Sequence, residues 1–163
     1  MKQALLPGTF DPPTLGHLEL IKRSTAICDK LVIGIACNGL KKEPSVFSVE
    51  EKVEMLKAIT KDLPLVEIIV IDGLVATFAK QNNIHFLVRG LRAFSDFEYE
   101  YRMALTNKTL SGVETVFLMA SEKTSHISSS LIRELGINNS RLVEFVPSSI
   151  EEFVCKRLLR KEI

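Results

Sequence analysis

The sequence has no surplus of either charge: 21 Lys and Arg stand against 20 Asp and Glu in 163 residues. That balance gives no support for nucleic acid or an anionic membrane as partner and leaves room only for a local basic patch. Long apolar runs are missing too, and nothing approaches the roughly 20 residues that span a bilayer. The opening MKQALLPGTFDPP reaches a turn before a signal-peptide core could form, so no leader is expected. Cys28, Cys37 and Cys155 are odd in number, scattered and without a CxxC pair, which suits reduced, buried thiols in a cytoplasmic protein. Neither GxxxxGK[ST] nor GxGxxG occurs, so the P-loop and ordinary dinucleotide readings lack their fingerprints. No repeat, low-complexity tract or linker divides the chain, and one domain over residues 1–163 is expected.

What is present is alternation. QALL is a short apolar run, and GHLELIKRSTAI has helical spacing. KLVIGIA suits a strand buried on both faces, and Ser48 with Glu51 forms the capping box of SVEEKVEMLKAI. LVEIIVI, HFLV and TVFLM read as further strands. LVATFAKQN, a long amphipathic DFEYEYRMALTNKTL, SSSLIREL and a segment capped by Ser149 and Glu152 read as helices. Five strands alternating with helices predict an α/β fold, a doubly wound five-stranded parallel sheet with helices on both faces.

Ligands of such sheets bind beyond the carboxyl ends of the strands, where strand order reverses. The chemically loaded residues do follow strands. Thr9 and His17 come after the first, Lys41 and Lys42 after the second, Gly73 to Val75 after the third, RGLR with Arg89 and Arg92 after the fourth, and SEKTSHISSS after the fifth. Guanidinium and ammonium groups beside helix N-termini suit a ligand with several phosphates.

These residues carry a resemblance. Thr14-Leu15-Gly16-His17 within GTFDPPTLGH is similar to the (T/H)xGH signature of nucleotidyltransferases, and ISSSLIR to its C-terminal partner. RGLRAFSDFEYEYRMALTN resembles the phosphopantetheine adenylyltransferases, and the likeness runs nearly end to end. It implies a Rossmann-like nucleotidyltransferase fold that moves the adenylyl group of ATP to 4′-phosphopantetheine. It also implies dephospho-coenzyme A and pyrophosphate as products, Mg²⁺ on the ATP phosphates, coenzyme A as a feedback ligand and a homohexameric assembly. A sister enzyme acting on another phosphorylated acceptor is the alternative.

The same resemblance assigns roles. His17, Lys41 and Arg92 would be catalytic, with Lys42 the other candidate lysine. Thr9, Phe10, His17, Gly90, Leu91, Arg92, Glu100 and Thr124, Ser125, His126, Ile127, Ser128, Ser129, Ser130 would meet ATP. Thr9, Lys41, Val75 and Arg89 would meet the pantetheine substrate. Each has a plainer rival: His17 and the serines as helix-start residues, the arginines as partners of acidic neighbours such as Asp96, Glu100 as a solvated carboxylate, Val75 as core. Leu6, Leu15, Thr124 and His126 depart from the family pattern, the last two at positions usually aromatic.

Overall fold

A computed structural model describes residues 1–37 and 45–159. Its strands are β1 (Gln3–Gly8), β2 (Lys30–Cys37), β3 (Val66–Asp72), β4 (Phe86–Leu91) and β5 (Glu114–Met119). The helices are α1 (Leu15–Ser24), α2 (Val49–Thr60), α3 (Val75–Gln81), α4 (Phe94–Ser111), α5 (Ser129–Ile137) and α6 (Ser148–Leu159). All strand pairs are parallel, in the order β3-β2-β1-β4-β5. The expected doubly wound sheet is therefore present, and its order reverses between β1 and β4.

The period of two along the strands sorts side chains between faces. Ala4, Leu6, Leu31, Ile33, Ile35 and Val88 join the larger core with residues of α1, α2, α5 and α6. Leu5, Val32, Ile71 and Leu87 join a smaller core with Ala79 of α3 and Val113 after α4. Near-continuous apolar strands such as KLVIGIA follow from burial on both sides.

Four local expectations need correction. The fourth strand runs through Arg89, Gly90 and Leu91 rather than stopping before them, because those residues stay in register with Phe117, Leu118 and Met119 of β5. Helix α1 begins at Leu15, one residue early, with Thr14 as its cap. Helix α6 begins at Ser148: the carbonyl of Pro147 already accepts the Ile150 amide, and Glu152 pairs with Lys156 instead of closing a box with Ser149. Helix α4 is not amphipathic in the ordinary sense. Of its residues only Glu100 is buried, whereas Phe94, Phe97, Tyr99, Tyr101, Met103, Leu105 and Leu110 are exposed.

At the switch point β1 and β4 stay paired only through Ala4 with Phe86 and Leu5 with Leu87. Beyond those pairs, while each keeps its outer neighbour, the two strands part toward their carboxyl ends. Pro7 sits where they part. Having no amide hydrogen, it leaves no donor unpaired, and its carbonyl accepts from Nη1 of Arg89.

Candidate active site

A cleft of about 1350 Å³ opens at that parting. The segment after β1 forms its floor. A side chain on Gly8 would meet the Phe10 ring at 2.9 Å, so glycine is what lets the ring fold back beneath the loop. Phe10 is buried although its φ is +47°, a region that bulky residues rarely occupy. Its ring lies 5.0 Å from that of His17.

His17 sits at the third position of α1 and takes the place that Glu or Gln fills in an ordinary capping box. Thr14 Oγ1 accepts the His17 amide at 3.1 Å, and His17 Nδ1 accepts the Thr14 amide at 3.0 Å. An amide nitrogen can only donate, so Nδ1 is the bare nitrogen and the ring proton is on Nε2. Desolvation, followed by the nearby guanidiniums of Arg92 and Arg89, lowers the imidazole pKa from 6.5 to about 4. The ring is thus neutral near neutral pH and can offer one N–H to the cleft.

Both arginines are held by carboxylates. Arg89 donates from Nε to Glu100 Oε2 at 2.7 Å and from Nη2 to Oε1, with Glu100 nearly buried on α4. Three of its five N–H groups are then engaged, by Glu100 and by Pro7, and two are left for a ligand. Glu100 lines the cleft but has both oxygens on Arg89. Its first role is to aim that guanidinium, a role that reading it as a nucleotide contact had not included. Arg92 pairs with Asp96 at 3.1 Å and extends Nη1 to the Ile127 carbonyl at 3.4 Å. The plainer reading of Arg92 as a partner of Asp96 is met, and the same residue also lines the cleft.

Helix α5 presents its N-terminus to the same space. Ser128 is the cap, accepting from the Leu131 amide at 3.1 Å, while Ser129 donates to the Pro12 carbonyl at 2.8 Å and Ser130 accepts from Arg133. The three serines therefore divide the work of capping and of fastening the helix to the β1 loop. All three line the cleft, as do Thr9, Phe10, His17, Arg89, Gly90, Arg92, Glu100, Thr124 and Ile127.

Other expected residues are placed differently. Leu91 is in the core, His126 packs edge-on against Phe145, and Val75 opens α3 against the smaller core; these three and Ser125 are not among the cleft's lining residues. Lys41 and Lys42 lie outside the described residues.

The sequence reading also missed participants. Asp11 is buried and accepts the amides of Val46 at 3.1 Å and Phe47 at 2.9 Å, with Lys52 at 3.6 Å and Arg133 at 3.7 Å. Burial pushes its carboxyl up, but the Phe47 and Val46 amides, helped by Ser45 and Lys52, outweigh this and lower the pKa. Arg133 also donates to the Asp11 carbonyl at 2.7 Å. Asp11 lies inside GTFDPPTLGH and Arg133 inside ISSSLIR, and that is their only signal in the sequence. The partners are more than a hundred residues apart.

The profile of the cytidylyltransferase-like family matches residues 5–135. The chain is 45% identical over 162 residues to a phosphopantetheine adenylyltransferase of Caldanaerobacter subterraneus, covering 99% of this chain and 98% of that protein. It is 44% identical over 155 residues to that of Lachnoclostridium phytofermentans, covering 94% of each. For Moorella thermoacetica the identity is 44% over 158 residues, covering 96% of this chain and 98% of the other. A crystal structure assigned to a nicotinate-nucleotide adenylyltransferase of Vibrio parahaemolyticus superposes with a TM-score of 0.70 at 20% identity, over 100% of this chain and 98% of that one, which bears on the fold alone. With that length and depth of likeness, the chain belongs to the cytidylyltransferase-like family and, within it, to the phosphopantetheine adenylyltransferases.

Proposed function

We propose that the cleft transfers the adenylyl group of ATP to 4′-phosphopantetheine, releasing pyrophosphate and dephospho-coenzyme A. The observation that carries this reading is the neutral His17 beside Arg89 and Arg92 at the parting of β1 and β4, on a chain so similar to phosphopantetheine adenylyltransferases. A phosphate oxygen of the acceptor attacks the α-phosphorus. The bond to the bridging oxygen breaks, and its electrons leave with pyrophosphate. The nucleophile is already ionised near neutral pH, so no general base is required and catalysis rests on alignment and charge stabilisation. His17 donates from Nε2 to an oxygen on the α-phosphorus, Arg92 offsets charge on the nucleotide, and Arg89 takes the acceptor phosphate. Thr9 and the amides at the start of α5 hold phosphate oxygens in line, with Lys41 or Lys42 as a further cation.

Mg²⁺ would come in with ATP, offsetting charge on its phosphates. The donor set fits that role: among the described residues no group of three or more His, Cys, Asp or Glu side chains is placed to hold a metal. The cleft carboxylates Asp11, Glu19, Asp96 and Glu100 already have partners. Its ligands would therefore be ATP oxygens and water.

Among the described residues no helix is long and apolar enough to cross a membrane. The pathway to coenzyme A suits a cytoplasmic enzyme, and coenzyme A itself would compete at the pantetheine end of the cleft. The large apolar residues that α4 leaves exposed support burial of this helix against further copies of the chain, in a homohexamer. Solution scattering should return a hexamer mass; a monomer at micromolar concentration would remove this assembly.

Pyrophosphate release with ATP and 4′-phosphopantetheine tests the reaction, with nicotinate mononucleotide and glycerol phosphate as competing acceptors. Faster turnover of either competitor would move the chain to the sister activity.

His17→Ala should lower kcat by roughly 10²-fold with little change in ATP affinity, because the lost bond forms in the transition state. His17→Gln keeps an acceptor for the Thr14 amide, so equal loss of turnover there separates chemistry from capping. The His17 signal, assigned by its absence in the Ala variant, should titrate near pH 4 in the imidazole NMR spectrum. A midpoint at about 6 or above, the ordinary histidine range, would contradict a desolvated neutral ring.

Arg89→Ala alone would strand Glu100 as an unpaired, nearly buried carboxylate, so its effect on folding must be kept apart from that on binding. In a Glu100→Gln background, Arg89→Ala should raise the KM for 4′-phosphopantetheine by one to two decades and that for ATP much less, since charge-assisted bonds are worth about 1.5–3 kcal/mol. Equal weakening of both substrates would reassign Arg89.

A further inference from the structure

The carboxylate of Glu19, on the second turn of α1, faces the cleft and bonds to none of His17, Arg89 and Arg92; of the residues expected to meet ATP it holds Thr124. Its Oε2 accepts from Thr124 Oγ1 at 2.6 Å and from Ser121 Oγ at 2.7 Å; its Oε1 takes Nη1 of Arg23 at 3.3 Å. Arg23 in turn donates to the carbonyl of Met119, the last residue of β5. The two hydroxyls brace one turn: the amides of Thr124 and Ser125 donate to the Ser121 carbonyl at 3.1 and 2.9 Å, and that of Ile127 to the Thr124 carbonyl at 3.0 Å. The connection from β5 to α5 is thus fastened at both ends of a turn to the helix that carries His17. The Thr124 hydroxyl is the largest cause of a lowered Glu19 pKa, with Ser121 adding to it against the upward push of burial, so Glu19 stays a full acceptor near neutral pH.

We infer that Glu19 is a positioning residue for the nucleotide: by holding Ser121 and Thr124 it sets the 120–128 connection, and with it the cap of α5, at a fixed distance from His17. The side chain of Thr124 then serves the tether, which gives a hydroxyl a purpose at a position where an aromatic would offer only a face. The proposal rests on the adenylyl-transfer reading for its kinetic part but not for its structural part.

Two measurements test it. Amide hydrogen exchange over residues 120–128, on the ligand-free protein, should speed up in Glu19→Gln and in Thr124→Val and return to the wild-type rate in Thr124→Ser. Unchanged exchange in both variants overturns the tether. In steady-state kinetics Glu19→Gln should raise the KM for ATP by about tenfold, the worth of one charged hydrogen bond, while that for 4′-phosphopantetheine moves less than about twofold. Thr124→Val should reproduce the rise, Thr124→Ser should reverse it, and the Glu19→Gln/Thr124→Val double variant should be no worse than the singles. A KM that rises equally for both substrates overturns nucleotide positioning. Wild-type protein that releases no pyrophosphate from this substrate pair would instead sink the assigned reaction, and the exchange rates would still decide the tether.

Discussion

Everything at the cleft depends on two neighbouring strands ceasing to pair. Between β1 and β4 the ladder is held by Ala4, Leu5, Phe86 and Leu87, and past them each strand keeps its outer partner but loses the inner one. Parted strands expose backbone groups that a closed sheet would satisfy, and burying them unpaired would cost about 1–3 kcal/mol each. Pro7 removes one donor from the account, and the Arg89 side chain supplies a donor to the carbonyl left behind. The residue that stabilises the opening is therefore one that lines the cleft with two N–H groups still uncommitted.

The same economy explains how a nearly neutral chain builds a polyanion site. Formal net charge is +1, yet Arg89, Arg92, Lys52 and Arg133 stand around one cleft with Glu100, Asp96 and Asp11 behind them. Each carboxylate offsets part of the desolvation cost of its cation and fixes the direction of the guanidinium before any phosphate arrives. Binding then spends less on ordering long side chains. Burial, and after it the guanidiniums of Arg92 and Arg89, keeps His17 unprotonated, so the ring offers an N–H rather than a third positive charge.

Much of this was legible in order along the chain. The alternation of KLVIGIA, LVEIIVI and TVFLM with helical spacing contained the sheet, and the Ser48/Glu51 box marked α2 to the residue. Local signals failed where backbone bonds or tertiary partners decided otherwise. Ser149 and Glu152 had capping spacing, but a proline carbonyl started the helix earlier. The apolar run HFLV ends before Arg89, and pairing with β5 carries the strand through it. Helix α4 looked amphipathic by composition, yet its apolar residues fall on more than one side and only a glutamate is buried. The residues of the motifs, with Asp96 and Glu100, could be named from the sequence. The contacts of two further carboxylates could not, because Asp11 reaches Phe47 and Glu19 reaches Thr124 across separations that leave no periodic trace.

A single four-residue stretch shows why motif and mechanism coincide. Any helix must satisfy its first amides, and Thr14 with a Glu three residues on would do so as well as Thr14 with His17. Substituting imidazole for carboxylate keeps the cap but changes what the far side of the acceptor offers. A carboxylate bound through one oxygen presents more negative charge to the cleft, whereas an imidazole bound through Nδ1 presents an N–H. For phosphate chemistry the first would repel and the second attracts. The capping bond, which any stable helix start would welcome, is therefore also what selects the tautomer, so the orientation of the Nε2 donor is secured by secondary structure rather than by a separate partner.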